Sequence, residues 1–234
     1  MKPDTKLRLA SHVGKDGAQA ADIFIGKIKQ VSDGQSPFFV SDGRSYRQPL
    51  TKHYSTEVQP DPTKPRRGRP RKRPERKRDP DLLYGQAIKV KDSRGHVKGV
   101  RRRMVFGSVA EMRARFEELP LNQLLTTNHI ERDHLTSRTH NSRLVRQSIT
   151  YSKAQAPLQW QCDLEDLYYN FCLAHTSLRR ELPEPIPTKG TGSPKKWEQR
   201  TPAMAEGIAD YIMALGELLS MPVLPKRRHN DRGP

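Results

Sequence analysis

The sequence has no long hydrophobic run and few cysteines. In its 234 residues no stretch of about 18 apolar residues occurs, and no signal peptide precedes the first charged residues. The two cysteines, Cys162 and Cys172, lie ten apart in one predicted helix, which is the spacing of neither a disulfide framework nor a zinc site. The sequence therefore predicts a soluble, cytoplasmic protein without membrane contact, in which both cysteines are small buried residues.

Apolar and acidic residues are also scarce. Hydrophobic residues make up only 33% of the chain and 19 residues are proline, so a good part of it lies outside any core. Lys and Arg number 43 against 26 Asp and Glu, which gives a net charge of +17. An excess of this size favours a polyanionic partner, nucleic acid before a membrane surface.

The basic excess is concentrated between residues 64 and 78, where ten of fifteen residues are Lys or Arg and four are Pro or Gly. Such a segment forms no core, so we expect a disordered arm until it meets a partner. Part of it resembles the AT-hook, which implies an extended Arg-Gly-Arg in the narrow minor groove of A·T-rich DNA. The alternative is a solvated basic linker. The residues of the AT-hook-like segment are Arg66, Arg67, Gly68, Arg69, Pro70, Arg71, Lys72 and Arg73.

A first candidate site residue follows a short apolar run. Residues 37–40 are β-prone and predict a buried strand, whose carboxyl end delivers Asp42 at a glycine turn. In open α/β sheets ligands bind at that edge. The alternative is an Asp-Gly turn that only closes the strand.

A second candidate is Glu131, in the first turn of a predicted helix that Thr127 or Asn128 caps. Asn128 and Glu131 are three residues apart and share one helix face. Basic residues follow at Arg132, Arg138, Arg143 and Arg146. A carboxylate in such surroundings suits a divalent metal and a phosphate backbone. The alternative is an ordinary Glu that stabilises its helix.

Periodicity and turn signals predict the remaining elements. We expect a strand over 7–13, helices over 16–33, 45–54 and 108–118, and a hairpin of 84–91 with 97–106. A long amphipathic helix follows residue 152, and its apolar stripe, which includes Trp160, Leu164 and Leu167, is predicted to be core. A connector over 183–194 precedes one last helix that begins at Thr201-Pro202 and carries an apolar stripe to Leu219.

Taken together, these motifs resemble bacterial insertion-sequence transposases of the DDE type, over about residues 5–219. In chain order the motifs are Phe39-Val40-Ser41-Asp42-Gly43 with Tyr46, Asn128-His129-Ile130-Glu131-Arg132 with Arg138 and Arg143, Tyr169-Asn170-Phe171, His175-Thr176-Ser177-Leu178, and Arg200-Thr201-Pro202-Ala203-Met204-Ala205.

The resemblance implies an α/β fold, a ribonuclease H-like mixed sheet flanked by helices, in which two Asp and one Glu hold two Mg²⁺ or Mn²⁺ ions. These ions activate water and then a DNA 3′-hydroxyl for attack on phosphodiesters. Asp42 matches the second acidic residue and Glu131 the third, both as catalytic metal ligands. Asn128 would orient Glu131 or its metal-bound water. Arg132, Arg138 and Arg143 would hold phosphates of double-stranded DNA, at element ends and target, in the nucleoid.

One departure from the family pattern concerns the first aspartate, which in this family lies on the first strand of a three-stranded meander. Only the strand over 7–13 fits before the first helix, and Asp4 is a poor candidate for the missing ligand. We therefore expect a truncated core that lacks two strands and one metal ligand, and a chain that does not cut DNA. The alternative function is a non-catalytic DNA-binding protein that uses the AT-hook-like arm.

The same reading divides the chain into four parts. Residues 1–59 form the first part of the core, and 60–81 form the basic linker. Residues 82–180 form the second part of the core, with the Glu131 helix. Residues 181–234 hold the connector, the last helix and a basic tail. Self-association is a further expectation, because transposases usually act as multimers.

Overall fold

The computed structural model describes residues 1–15, 17–32, 36–58, 75–117, 125–145, 149–150, 152–188 and 190–222. The chain divides into two compact units, Met1–Asp166 and Leu167–Pro234. Helices flank a mixed sheet in the first unit, which confirms the predicted α/β class. Arg146 and the AT-hook-like segment Arg66 to Arg73 lie outside the described residues.

The described chain has seven α-helices and seven strands. In order they are α1 (Ala18–Val31), β1 (Phe39–Ser41), α2 (Arg47–His53), β2 (Ser55–Val58), β3 (Glu75–Arg78), β4 (Tyr84–Lys91), β5 (Val97–Phe106), α3 (Val109–Glu117), α4 (Asn128–His140), α5 (Gln155–Phe171), β6 (His175–Ile186), β7 (Lys195–Arg200), α6 (Pro202–Glu206) and α7 (Leu215–Ser220).

The core of the first unit lies between α1, α2 and the sheet. Helix α1 buries Ala21, Ile25 and Ile28, which share one face at the predicted helical spacing. Fully burying a side chain of this kind contributes roughly 1.5–3 kcal/mol. The apolar cluster therefore fixes both helices on the sheet. It comprises Ile25, Ile28, Leu50, Tyr54, Leu82, Tyr84 and Phe106.

The main sheet has the strand order β1-β4-β5. Strand β1 runs parallel to β4, with Ser41 opposite Gln86, and β4 runs antiparallel to β5. The predicted hairpin is confirmed, and Gly95 adopts a left-handed φ of 86° in its turn. Tyr84 and Phe106 bury one end of the hairpin, whereas residues 97–103 are exposed.

The strand predicted over 7–13 is absent: this part of the described chain has no regular secondary structure. Side chains bind its backbone in place of a neighbouring strand. Gln159 Oε1 accepts from the Val13 N–H at 2.7 Å, Gln155 donates to the Val13 carbonyl, and Lys27 donates to the Ser11 carbonyl at 2.8 Å. Leu7 is nevertheless buried, and Leu9 packs against the core cluster.

Helix α5 follows residue 152 as the sequence predicts, but it ends at Phe171, before Cys172, and its apolar stripe does not form the core. Trp160, Leu164 and Leu167 are 69%, 41% and 45% exposed. The helix instead directs Glu165 and Asp166 inward, because Arg8 binds both carboxylates. A buried cation has thus reversed the orientation that the apolar pattern indicates. Cys162 is buried as predicted, and Cys172 is partly exposed.

Strand β3 was not predicted, since residues 75–78 belong to the segment expected to be disordered. It pairs with β2, and Ser55 lies opposite Arg78. An ion pair at 2.7 Å joins Arg76 to Glu57 across the two strands. The prediction of a disordered arm is therefore wrong for these four residues, where cross-strand pairing compensates for the composition.

The second unit differs from the sequence prediction in two places. Residues 183–186 of the expected connector belong to β6, which pairs antiparallel with β7. The single helix predicted from Thr201-Pro202 to Leu219 is two helices in the structure, and α7 is the second of them. The first, α6, begins at Pro202 as predicted, with Thr201 Oγ accepting the Met204 N–H at 3.2 Å, but ends at Glu206. Gly207, at φ 79°, terminates it in the left-handed conformation. No described helix combines the length and hydropathy of a bilayer span.

Gly107 connects β5 to α3 and is under two constraints. Its φ is 81°, and a β-carbon there would lie 2.3 Å from Cδ2 of buried Leu83. Ser108 follows and caps α3, as predicted: its hydroxyl accepts the Glu111 N–H at 3.1 Å. The start of α3 therefore depends on a residue without a side chain at position 107.

We expect Gly107→Ala to destabilise the protein more than Gly95→Ala. Both glycines have positive φ, which costs an alanine about 1–2 kcal/mol. A β-carbon at Gly95 has no neighbour within 4 Å, so the matched variant isolates the clash with Leu83. Overpacking should add on the order of 1–3 kcal/mol to the loss at Gly107. Urea unfolding measures both variants, and equal losses would show that Leu83 adapts freely.

Candidate nucleic-acid interface

Helix α4 places Glu131 in its first turn, as predicted. Thr127 is the N-cap, but its hydroxyl makes no cap hydrogen bond to the backbone. It donates instead to Glu131 Oε1 at 2.7 Å. The Asn128 N–H, at the first helical position, donates to Thr126 Oγ at 3.2 Å. The cap region therefore fixes the Glu131 carboxylate from one side.

Lys89 of β4 binds the other side of this carboxylate. Its ammonium donates to Glu131 Oε2, and both side chains are about two-fifths exposed, at 40% and 41%. The hydrogen bond from Lys89, and then that from Thr127, lower the pKa of Glu131 below its usual range. Both oxygens of Glu131 thus have a protein donor.

Asp42 follows β1 directly and is exposed, as the sequence predicts for a residue at the carboxyl end of a strand. Its Oδ1 accepts the Arg44 N–H at 2.9 Å, which makes an Asx-turn. The Arg44 carbonyl accepts from Gln86 Nε2 at 2.8 Å and from the Tyr84 hydroxyl at 3.1 Å. The turn that carries Asp42 is therefore anchored to β4.

Strand β4 is the common neighbour of both candidate ligands. Gln86 and Lys89 are three residues apart on it, and therefore point to opposite faces. The Asp42 turn is anchored on the Gln86 face, and Glu131 on the Lys89 face. The contacts of the two candidate ligands with β4 therefore lie on opposite faces of this strand.

The residues present do not fit a two-ion Mg²⁺ site as they stand. Mg²⁺ requires near-octahedral oxygen ligands that are free to coordinate it. Both oxygens of Glu131 and one of Asp42 already accept protein hydrogen bonds. Within the described ranges, no group of three or more His, Cys, Asp or Glu side chains could hold a metal.

The predicted phosphate-binding arginines lie on and just after α4. Arg132, Arg138 and Arg143 are exposed, and no described carboxylate pairs with them. Arg132 lines a shallow depression on the outer face of α4 together with Asn128 and Glu131. These positions agree with contact to a polyanion, and Asn128 shares the Glu131 surface as its spacing predicts. Its role in orienting Glu131 remains a prediction.

The inner face of α4 is fixed by Arg8, whose residue surface is only 6% exposed. Its guanidinium donates to Asp133 Oδ1 at 2.9 Å and to Ser137 Oγ at 2.8 Å, both on α4. It also donates to Glu165 Oε1 at 3.1 Å and Asp166 Oδ1 at 3.2 Å on α5. Arg8 therefore connects two helices and sets the orientation of the face that carries Glu131.

Sequence reasoning missed three of these residues. Lys89 is a charged position in a strand with no distinguishing local signal, and Thr127 was considered only as a cap. Arg8 lies between Leu7 and Leu9, so alternation assigns it to the solvent side of a strand. For Lys89 and Arg8 the partners are distant along the chain, and local patterns do not contain them. The partner of Thr127 is only four residues away, but the cap assignment gave its hydroxyl to the backbone.

Comparisons with protein-family models, with curated proteins and with solved structures gave no match. The likeness to DDE transposases therefore depends on the motifs in the sequence.

We expect Arg8→Met to destabilise the protein by about 3–5 kcal/mol, because it removes the guanidinium that binds Asp133, Glu165 and Asp166 in the interior. The control is Arg76→Met, which removes an exposed ion pair in the same unit. That change should cost about 1 kcal/mol or less. Thermal and urea unfolding compare the two. A small loss for Arg8→Met would mean that its carboxylate partners are solvated or protonated at little cost.

Proposed function

We propose that this chain binds double-stranded DNA and is related to DDE transposases, with a ribonuclease H-like core. The observation that carries the proposal is the charge of the β4–β5 hairpin. Between Tyr84 and Phe106 it contains seven Lys or Arg residues and one acidic residue, Asp92. Its free end is exposed to solvent.

Three cations of the hairpin are available to a ligand. Lys91, Lys98 and Arg101 are exposed, and no described acidic residue pairs with them. Several such cations on one ordered hairpin suit the closely spaced phosphates of a duplex, whose condensed counterions they would release. This favours nucleic acid over a small anion, which would contact only one or two of them.

The exposed arginines of α4 extend this basic surface. The Lys89–Glu131 contact joins α4 to β4, so Arg132 and Arg138 belong to the same unit as the hairpin. These residues supply affinity by contacts to the phosphate backbone, which carry no sequence information themselves. Sequence preference would come from the AT-hook-like segment, as the motif implies.

Strand cleavage is not part of the proposal. The carboxylates of Asp42 and Glu131 are the positions that the transposase resemblance assigns to metal ligands, but their present contacts do not fit two Mg²⁺ ions. The function supported best is therefore DNA binding without cutting, in the context of transposition. Element ends and target DNA are the proposed partners.

We expect Lys98→Gln with Arg101→Gln to weaken binding to a short duplex and to reduce its salt dependence. Each lost phosphate contact lowers the slope of log K against log salt by about 0.9, so the pair should lower it by roughly 1–2. The control pair, Lys195→Gln with Lys196→Gln, removes the same charge from exposed positions of β7. Fluorescence anisotropy over a salt series measures both. Equal effects of the two pairs of substitutions would show that binding depends only on net charge and not on the hairpin. Absence of duplex binding by the unaltered chain would overturn the proposed function.

The AT-hook-like segment gives a separate expectation. Arg67→Ala with Arg69→Ala should weaken binding to A·T-rich duplex more than to G·C-rich duplex, because arginine enters the narrow minor groove preferentially. Gly68→Ala leaves the charge unchanged and should also weaken binding to A·T-rich duplex more than to G·C-rich duplex, since a side chain there obstructs approach to the groove floor. Arg67→Lys with Arg69→Lys is the charge-matched control. Equal losses of affinity on both duplexes would indicate that the segment is a solvated basic arm and does not recognise A·T-rich DNA.

A further inference from the structure

We propose that Lys89 is the resident counter-cation of Glu131 and that it excludes divalent cations of the Mg²⁺ and Mn²⁺ class from this carboxylate. The inference goes beyond DNA binding and does not depend on it. It concerns what this chain has at a position where the transposase resemblance implies a metal.

The contacts of Glu131 support exclusion. Lys89 donates to Oε2 and Thr127 donates to Oε1 at 2.7 Å, so a metal would have to displace one donor or approach beside an ammonium group. Mg²⁺ gives up its water reluctantly and needs well-placed oxygen ligands in exchange. The Thr127 hydroxyl directs its hydrogen at Glu131 Oε1, so this oxygen is not free to coordinate the ion.

The backbone of Lys89 keeps the ammonium group near Glu131. Strand β4 is the central strand of the sheet, paired with β1 on one side and β5 on the other. Lys89 itself lies opposite Val100 in the β4–β5 register. The stem of the side chain therefore starts from a fixed position, and the ammonium can leave Glu131 only by rotation of the side chain.

The surrounding cleft has a positive balance of charge. Besides Lys89 it is lined by Arg102 of β5 and by Thr127 and Asn128 at the start of α4. Arg102 donates to the Leu125 carbonyl at 2.8 Å and has no contact with Glu131. Two cations therefore line the cleft, and of these Lys89 contacts Glu131. Variants of Lys89 and Arg102 can therefore distinguish direct pairing with Glu131 from the overall positive potential of the cleft.

The test measures Mn²⁺ binding by the full chain and four variants. Electron paramagnetic resonance titration gives the affinity, and broadening of the amide NMR signals of α4 locates the ion. We expect the unaltered chain and Glu131→Gln to bind Mn²⁺ equally weakly. Lys89→Gln should bind about tenfold more tightly near Glu131, because removal of a unit charge beside a divalent cation is worth at least that much in a water-like medium. Lys89→Arg, which keeps the charge, should show no gain.

Arg102→Gln is the matched control, since it removes the same charge from the same cleft without touching Glu131. Its gain should be clearly smaller than that of Lys89→Gln. The proposal is overturned if Lys89→Gln shows no gain, if Arg102→Gln gains as much, or if Glu131→Gln lowers Mn²⁺ binding of the chain that still has Lys89. That last comparison remains decisive if Lys89→Gln and Arg102→Gln do not fold, and circular dichroism reports whether each variant is folded.

Discussion

The arrangement of the first unit depends on one buried guanidinium. A charge inside a protein is tolerated only when it is paired and hydrogen-bonded. Arg8 satisfies this requirement with Asp133 and Ser137 of α4 and with two acidic residues of α5. Neither helix can shift along the other without leaving a charge unpaired in the interior. The orientation of α4 is therefore set from within, and the exposed side of the helix, with Glu131 and its arginines, follows from it.

The second ion pair has a different physical role. Lys89 and Glu131 are partly solvated, so their attraction adds little to stability. What the pair determines is the sign of the local charge and the availability of the carboxylate oxygens. The two interactions differ in burial and therefore in role. Buried Arg8 fixes the orientation of α4, and partly exposed Lys89 determines which ligands the carboxylate in its first turn can bind. The outer surface presents unpaired arginines, while the acidic group among them is neutralised within the protein.

Local periodicity was sufficient for much of the fold. The apolar spacing of α1, the β-prone run before Asp42 and the glycine turn of the β4–β5 hairpin each lie within a few residues of the element they define. The errors occur where a distant partner overrides the local pattern. Arg8 draws the acidic side of α5 inward, and Gly207 ends α6 although the apolar stripe continues. The position of Glu131 was predictable from its helix. Its partner Lys89 was not, because 42 residues separate them.

The backbone of residues 7–13 has a consequence for the behaviour of the protein in concentrated solution. An extended segment with free N–H and C=O groups is a template on which another chain can add a strand and begin to aggregate. Here the glutamines of α5 bind the Val13 amide and carbonyl, Lys27 binds the Ser11 carbonyl, and the Lys2 N–H binds the Leu7 carbonyl at 2.8 Å. An incoming strand would first have to displace these groups. Side chains from α1 and α5 thus protect a stretch of main chain that none of the described β-strands covers.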